Sequence, residues 1–188
     1  MAVKIVTDST SDLPPGVVGE FDITVVPVNV HFGDKVYRDG VDLSTDDFYR
    51  KLRTGDILPK TSAPAPGIFG ETYEQVAQGA DAIISIHVSD NLSAVLEAAR
   101  VGGSGLQFPI SIIDSQTASM ACGLLVITAA RAAKEGASLK EIEALVREAI
   151  PRTITYGVFS TLEYLYKGGR IGRAQAFLGS ILKLSPII

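Results

Sequence analysis

Ala82-Ile83-Ile84-Ser85-Ile86-His87-Val88 is the stretch on which the fold turns. It is a mostly apolar run, interrupted only by Ser85 and His87, and reads as a strand buried on both faces of a parallel sheet. Its carboxyl end opens into the polar loop Ser89-Asp90-Asn91-Leu92-Ser93. The same arrangement recurs along the chain. Val3 to Thr7 runs into Asp8-Ser9-Thr10-Ser11-Asp12, and Ile110 to Ile113 runs into Asp114-Ser115.

Helical patterns fill the intervals. Pro14-Pro15 suits a helix start. Ser44-Thr45-Asp46-Asp47 has the spacing of a capping box ahead of a helix from about Thr45 to Arg53. Pro66 opens a helix to about Gln78, and further helices are expected near Ala94 to Val101, Ser119 to Lys134 and Ser138 to Ile150. Ile23 to Phe32 reads as one strand interrupted by Pro27, which argues for an edge position or a bulge. Lys35 to Arg38 and Thr155 to Phe159 read as further strands, with short helices at Leu162 to Tyr166 and Ala174 to Leu182. Strands and helices alternate, so the expected fold is α/β: a mostly parallel sheet with helices on both faces, in one domain spanning residues 1–188.

In such sheets ligands bind beyond the carboxyl ends of the strands. The residues falling there are Asp8-Ser9, Ser89 to Ser93, Asp114-Ser115 and Ser160-Thr161. Thr61-Ser62-Ala63-Pro64-Ala65-Pro66-Gly67 precedes a helix N-terminus on the same rim. Its prolines stiffen the backbone around two hydroxyls, which suits a small polar head group. The expected site is rich in hydroxyls and sparse in catalytic groups.

Composition is consistent with a large core or an enclosed apolar ligand: 46% of the 188 residues are apolar and the mean hydropathy is +0.26. Cys122 is the one cysteine, which excludes a disulfide framework and fits a reducing, cytoplasmic compartment. The longest apolar stretch, Ala118 to Ala130, is too short to cross a bilayer, and the N-terminus has no signal-peptide pattern. Net charge is −4; no acid follows Glu163, so the last 25 residues carry +4 and the first 163 carry −8. That basic end suggests an anionic ligand or acidic partner and is too small for nucleic acid.

Chemical motifs are few. The sequence contains no Walker loop, no Gly-x-Ser-x-Gly elbow, no dinucleotide fingerprint and no zinc-ligand spacing. His31 and His87 each fall within a strand pattern, where a structural histidine is the commoner outcome. Asp8, Asp12 and Asp114 fit either a metal or turn and helix caps. Gly168-Gly169-Arg170-Ile171-Gly172-Arg173 fits either a phosphate loop or a helix break with solvated arginines. A small-molecule hydrolase or phosphotransfer component using Asp8, Asp114 or His87 is the alternative function.

One collinear series resembles the DegV family. It comprises Thr7 to Pro14, Val26-Pro27-Val28, Thr61-Ser62 with Pro64 and Pro66-Gly67, Ile86 to Ser89 with Leu92-Ser93, Ile113 to Ser115, and Leu162 to Ile171. The resemblance implies a bacterial fatty-acid-binding protein similar to the acyl-binding subunit of fatty acid kinase, with no catalysis and no cofactor of its own. Such a protein encloses a long-chain fatty acid in an apolar tunnel and presents the carboxyl group to a separate ATP-using kinase subunit, which makes the acyl phosphate. By resemblance Thr61 and Ser93 hold the carboxylate, Ser62 lies close by, and Arg170 docks the kinase subunit. Burying a 16-carbon tail would supply about 10 kcal/mol before ordering costs.

The chain departs from the family pattern in two ways. Ala63, Ala65, Ala94, Val95 and Leu96 stand where polar side chains and a glycine are usual, which implies a drier or differently shaped pocket. Family members also continue into a second α/β lobe carrying a late histidine, and that lobe is expected to be missing after about residue 185.

Overall fold

The computed structural model describes residues 2–172, which fall into two compact units divided after Thr153. The first unit is built on a four-stranded parallel sheet. Its strands are β1 (Val3–Asp8), β2 (Thr24–Val26), β6 (Ala82–His87) and β7 (Ile110–Asp114), in the order β2-β1-β6-β7. β1 and β6 pair from Val3 with Ala82 to Thr7 with Ile86. All six residues of β6 are buried, Ser85 and His87 included, as befits a central strand covered on both faces.

Helices cover both faces. α3 (Pro66–Ala77) and α4 (Val95–Gly103) lie on the face carrying Val6 and Ile83, where Phe69, Tyr73 and Val95 complete the core. α5 (Ser119–Lys134) and α6 (Leu139–Ala149) cover the opposite face, with Ile5, Ile84, Ile86, Leu125 and Val146. α1 (Pro15–Glu20) contributes Val18 to the same side. A reciprocal cap starts α6: Ser138 accepts from the Glu141 amide, and the Glu141 carboxylate accepts from the Ser138 amide.

The expected strand from Ile23 to Phe32 is two strands in two sheets. β2 ends at Val26 and β3 (Asn29–Phe32) begins after Pro27-Val28. Proline removes a ladder donor, and the chain uses that interruption to leave the parallel sheet from its edge. β3 then anchors an antiparallel ribbon of order β4-β3-β5, formed with β4 (Lys35–Arg38) and β5 (Lys60–Ser62). Glycine comes first in the two-residue Gly33-Asp34 hairpin, and its φ of 61° is what such a turn asks for. α2 (Thr45–Thr54), capped by Ser44, packs Phe48 edge-on against Phe32.

In the second unit, α7 (Glu163–Lys167) is closed by Gly168-Gly169. The expected strand at Thr155 to Phe159 does not form; only Val158 makes an isolated bridge, and Ile154, Tyr156 and Val158 are exposed. Strand propensity depends on a face to pack against, and these three residues stay exposed. The expected helix at Ala174 to Leu182 lies outside the described residues.

Candidate functional site

β1 is followed by β2 on one side, and β6 joins β1 on the other, so strand order reverses between β1 and β6. The crevice outside those carboxyl ends is the default ligand position in an open α/β sheet. Three loops form its rim. After β1, the Asp8 carboxylate accepts from the Thr10 amide at 3.0 Å and the Thr10 hydroxyl at 2.5 Å, while Ser11 donates back to the Asp8 carbonyl. After β6, the Ser89 amide donates to the Thr117 carbonyl at 2.9 Å, and the Ser93 amide donates to the Ser89 carbonyl at 3.1 Å. After β7, the Ser115 amide donates to the His87 carbonyl at 3.0 Å. Asp12, Gln116 and Ser119 on these loops have φ between 52° and 56°. Left-handed conformations outside glycine cost energy and concentrate at functional loops.

Ser93 is half-buried on this rim, at the start of α4, where its hydroxyl oxygen accepts from the Val95 amide at 3.4 Å. Thr61 and Ser62 are exposed and belong to β5 rather than to a loop. Successive strand residues face opposite ways. Thr61 therefore stands opposite Val30, whereas Ser62 stands opposite Asn29 and meets Asn29 Nδ2 at 3.5 Å and His31 Nε2 at 2.9 Å. The two hydroxyls do not present one paired surface. Ala63, the next residue, packs against the core cluster that holds Val88 and Val95, the flanks of the Ser93 loop. Arg170 is exposed in the second unit, and its guanidinium donates to the Gly168 carbonyl at 2.7 Å.

Of the alternative catalytic residues, Asp8 and His87 come together and Asp114 does not join them. His87 Nδ1 lies 2.9 Å from Asp8 Oδ2, His87 Nε2 lies 2.7 Å from Ser85 Oγ, and Ser85 Oγ lies 2.9 Å from the Tyr73 hydroxyl. Burial pushes the Asp8 carboxyl up, but the hydrogen bonds from His87, Thr10 and Val88 outweigh it and hold the group below its ordinary value. Ser85, His87 and Asp8 follow the nucleophile, base, acid order of a hydrolase triad. All three are 0% exposed, and Phe69 covers the imidazole edge-on at 5.1 Å, so the Ser85 hydroxyl is sealed from any substrate. Asp114 is raised, first by burial and then by its neighbour Asp90.

Ser85 and Tyr73 were not among the residues the sequence singled out. A Ser-x-His pair at period two on a buried strand puts both side chains on one face, and that spacing was the available signal. Among the described residues no group of three or more His, Cys, Asp or Glu is placed to hold a metal ion. No described helix is long and apolar enough to cross a membrane. A groove of about 710 Å³ runs beside the β1 loop, walled by Leu13, Pro14, Val18, Val25, Pro27 and Tyr49 among others; Thr61, Ser62 and Ser93 are not on its walls.

A three-layer α/β domain with a hydroxyl-rich crevice at its switch point has the architecture of a ligand-binding domain. The model of the DegV family, described as uncharacterised protein, matches residues 2–188, and the chain belongs to that family. The DegV domain-containing protein YejH of Lactococcus lactis is 43% identical over 187 residues, which is 100% of this chain and 67% of that protein. A DegV family protein from Thermus thermophilus, described as binding fatty acid, superposes with a TM-score of 0.90 at 35% identity. DegV of Bacillus subtilis, a fatty-acid-binding protein, superposes with a TM-score of 0.89 at 32% identity. Both structures are matched over 100% of this chain and 67% of their own length, so the chain spans about two thirds of these relatives.

Proposed function

We propose that the chain binds a long-chain fatty acid, with its carboxylate at the β1/β6 crevice and its tail in an apolar tunnel. The observation that carries this is the placement of Ser93. Its hydroxyl stands on the switch-point rim at the N-terminal end of α4, where a donor and a helix dipole favour an anion. Leu92 and Ile68, 36% and 45% exposed, leave apolar surface beside Ser93 and beside the start of α3. The fatty-acid-binding relatives support the same reading.

Thr61 shares the carboxylate with Ser93, and Ser62 lies close by on the other face of β5. The lobe acts as a cytoplasmic carrier with no catalysis of its own. It presents the carboxyl group to a separate ATP-dependent fatty acid kinase subunit for acyl phosphate formation, with Arg170 at the docking surface. The described fold is the family's N-terminal lobe, and a second lobe would complete the enclosure. Calorimetric titration of delipidated protein with oleate tests the reading: saturable binding of one oleate per chain is expected, and the absence of heat and uptake would refute it.

A further inference from the structure

The buried chain through His87 admits one proton arrangement. Among the described residues the Tyr73 phenol has Ser85 as its one hydrogen-bond partner, so the phenol must donate there; accepting would strand its own buried O–H. The Ser85 hydroxyl is then turned to His87 Nε2, which accepts, and Nδ1 carries the proton given to Asp8. That places the imidazole proton on Nδ1, facing the Asp8 carboxylate. A proton on Nε2 would make the Ser85 oxygen accept from both neighbours and leave its own buried O–H without an acceptor among the described residues.

Asp8 in turn touches both walls of the crevice. Its Oδ1 accepts from the Thr10 amide and hydroxyl on the β1 loop. Its Oδ2 accepts from His87 Nδ1 and, at 3.2 Å, from the Val88 amide, which opens the loop to Ser93. One carboxylate thus clamps the two loops at the place where strand order reverses.

We infer that His87 and Asp8 are positioning residues for the head-group crevice: Asp8 fixes the spacing of the Thr10 and Ser93 loops, and Ser85 and Tyr73 keep His87 in the tautomer that holds Asp8. The effect on ligand affinity rests on the function proposed above; the clamp itself does not.

The full chain carrying His87→Asn or His87→Gln separates this role from packing. Both variants lose the ring and its contact with Phe69. Asparagine places an amide donor where Nδ1 stands and keeps the bond to Asp8, whereas glutamine reaches towards Ser85 and leaves Asp8 a donor short. In the unaltered chain, nitrogen NMR of the imidazole is expected to show the Nδ1–H tautomer at neutral pH; an Nε2–H tautomer or an imidazolium would overturn the arrangement. Amide exchange at Val88 and Thr10 is expected to quicken in His87→Gln and stay near the parent rate in His87→Asn. Oleate affinity is expected to fall about tenfold in His87→Gln, the loss of one charge-assisted hydrogen bond, and to be retained in His87→Asn. Equal losses in both variants, tracking their melting temperatures, would reduce the network to a structural one and overturn the inference. If the unaltered chain takes up no oleate, the proposed function falls, and exchange at Val88 and Thr10 still decides the clamp.

Discussion

Asp8 and His87, separated by 79 positions in the chain, meet at 2.9 Å with neither side chain exposed to solvent. The contact exists because β1 and β6 are parallel neighbours in register, Thr7 beside Ile86, so that the next residue of each strand turns to the same face. It joins the two loops that line the crevice and places an anion under them.

Replacing Asp8 by asparagine keeps the shape and removes the charge that His87, Thr10 and Val88 solvate. Losing the charge-assisted hydrogen bonds to this carboxylate costs about 2 kcal/mol, read by urea denaturation at neutral pH. Because the folded Asp8 carboxyl lies below its unfolded value of 3.8, its contribution is present above that pH and lost as pH falls through the folded value. The stability gap between parent and Asp8→Asn should therefore close in acid. A gap independent of pH down to strong acid would show that Asp8 is not the group being titrated.

Gly102 on α4 stands close against the backbone of α3. A Cβ there would stand 2.4 Å from the Pro66 carbonyl oxygen and 2.9 Å from the Gly70 amide nitrogen, and backbone cannot swing aside. Gly102→Ala should destabilise by about 2 kcal/mol through overpacking, seen as a lower denaturation midpoint with an unchanged slope. A neutral or stabilising substitution would contradict the helix spacing.

The two faces of β5 give the head-group hydroxyls different expected effects. Ser93→Ala and Thr61→Ala should each weaken oleate binding about tenfold, the loss of one hydrogen bond to a charged group. Ser62→Ala should change it by less, since Ser62 faces Asn29 and His31. Titration calorimetry ranks the three; a larger effect at Ser62 than at Thr61 would place the carboxylate on the other face of the ribbon.

Arg170 is exposed, and its guanidinium donates to the nearby Gly168 carbonyl. Arg170→Ala should leave stability within about 0.5 kcal/mol and oleate binding intact, while acyl phosphate formation with a fatty acid kinase subunit is lost. Undiminished acyl phosphate would remove the docking role.

The parallel sheet was legible because buried strands need predominantly apolar runs, and Val3 to Thr7, Ala82 to Val88 and Ile110 to Ile113 are such runs, with only Lys4, Thr7, Ser85, His87 and Ser111 polar. The ribbon was not. Lys60-Thr61-Ser62 is short, polar and exposed, so its strand character comes from pairing with β3 and not from its own composition. Pro27 was noticed as an interruption, but that β2 and β3 belong to different sheets depends on partners far along the chain. Among site residues, Ser93 falls on the crevice rim that the strand-end pattern indicates. Ser85 carried only its period-two spacing from His87, and Tyr73, a tyrosine on a helix, carries no motif until β6 and α3 are packed together.

The central claim is that this lobe holds a fatty acid, and the most direct measurement is mass spectrometry of an organic-solvent extract of the purified protein. The account predicts a long-chain fatty acid co-purifying with the chain, displaced by added oleate. An extract free of lipid from every expression host, together with no uptake of added oleate, would contradict it.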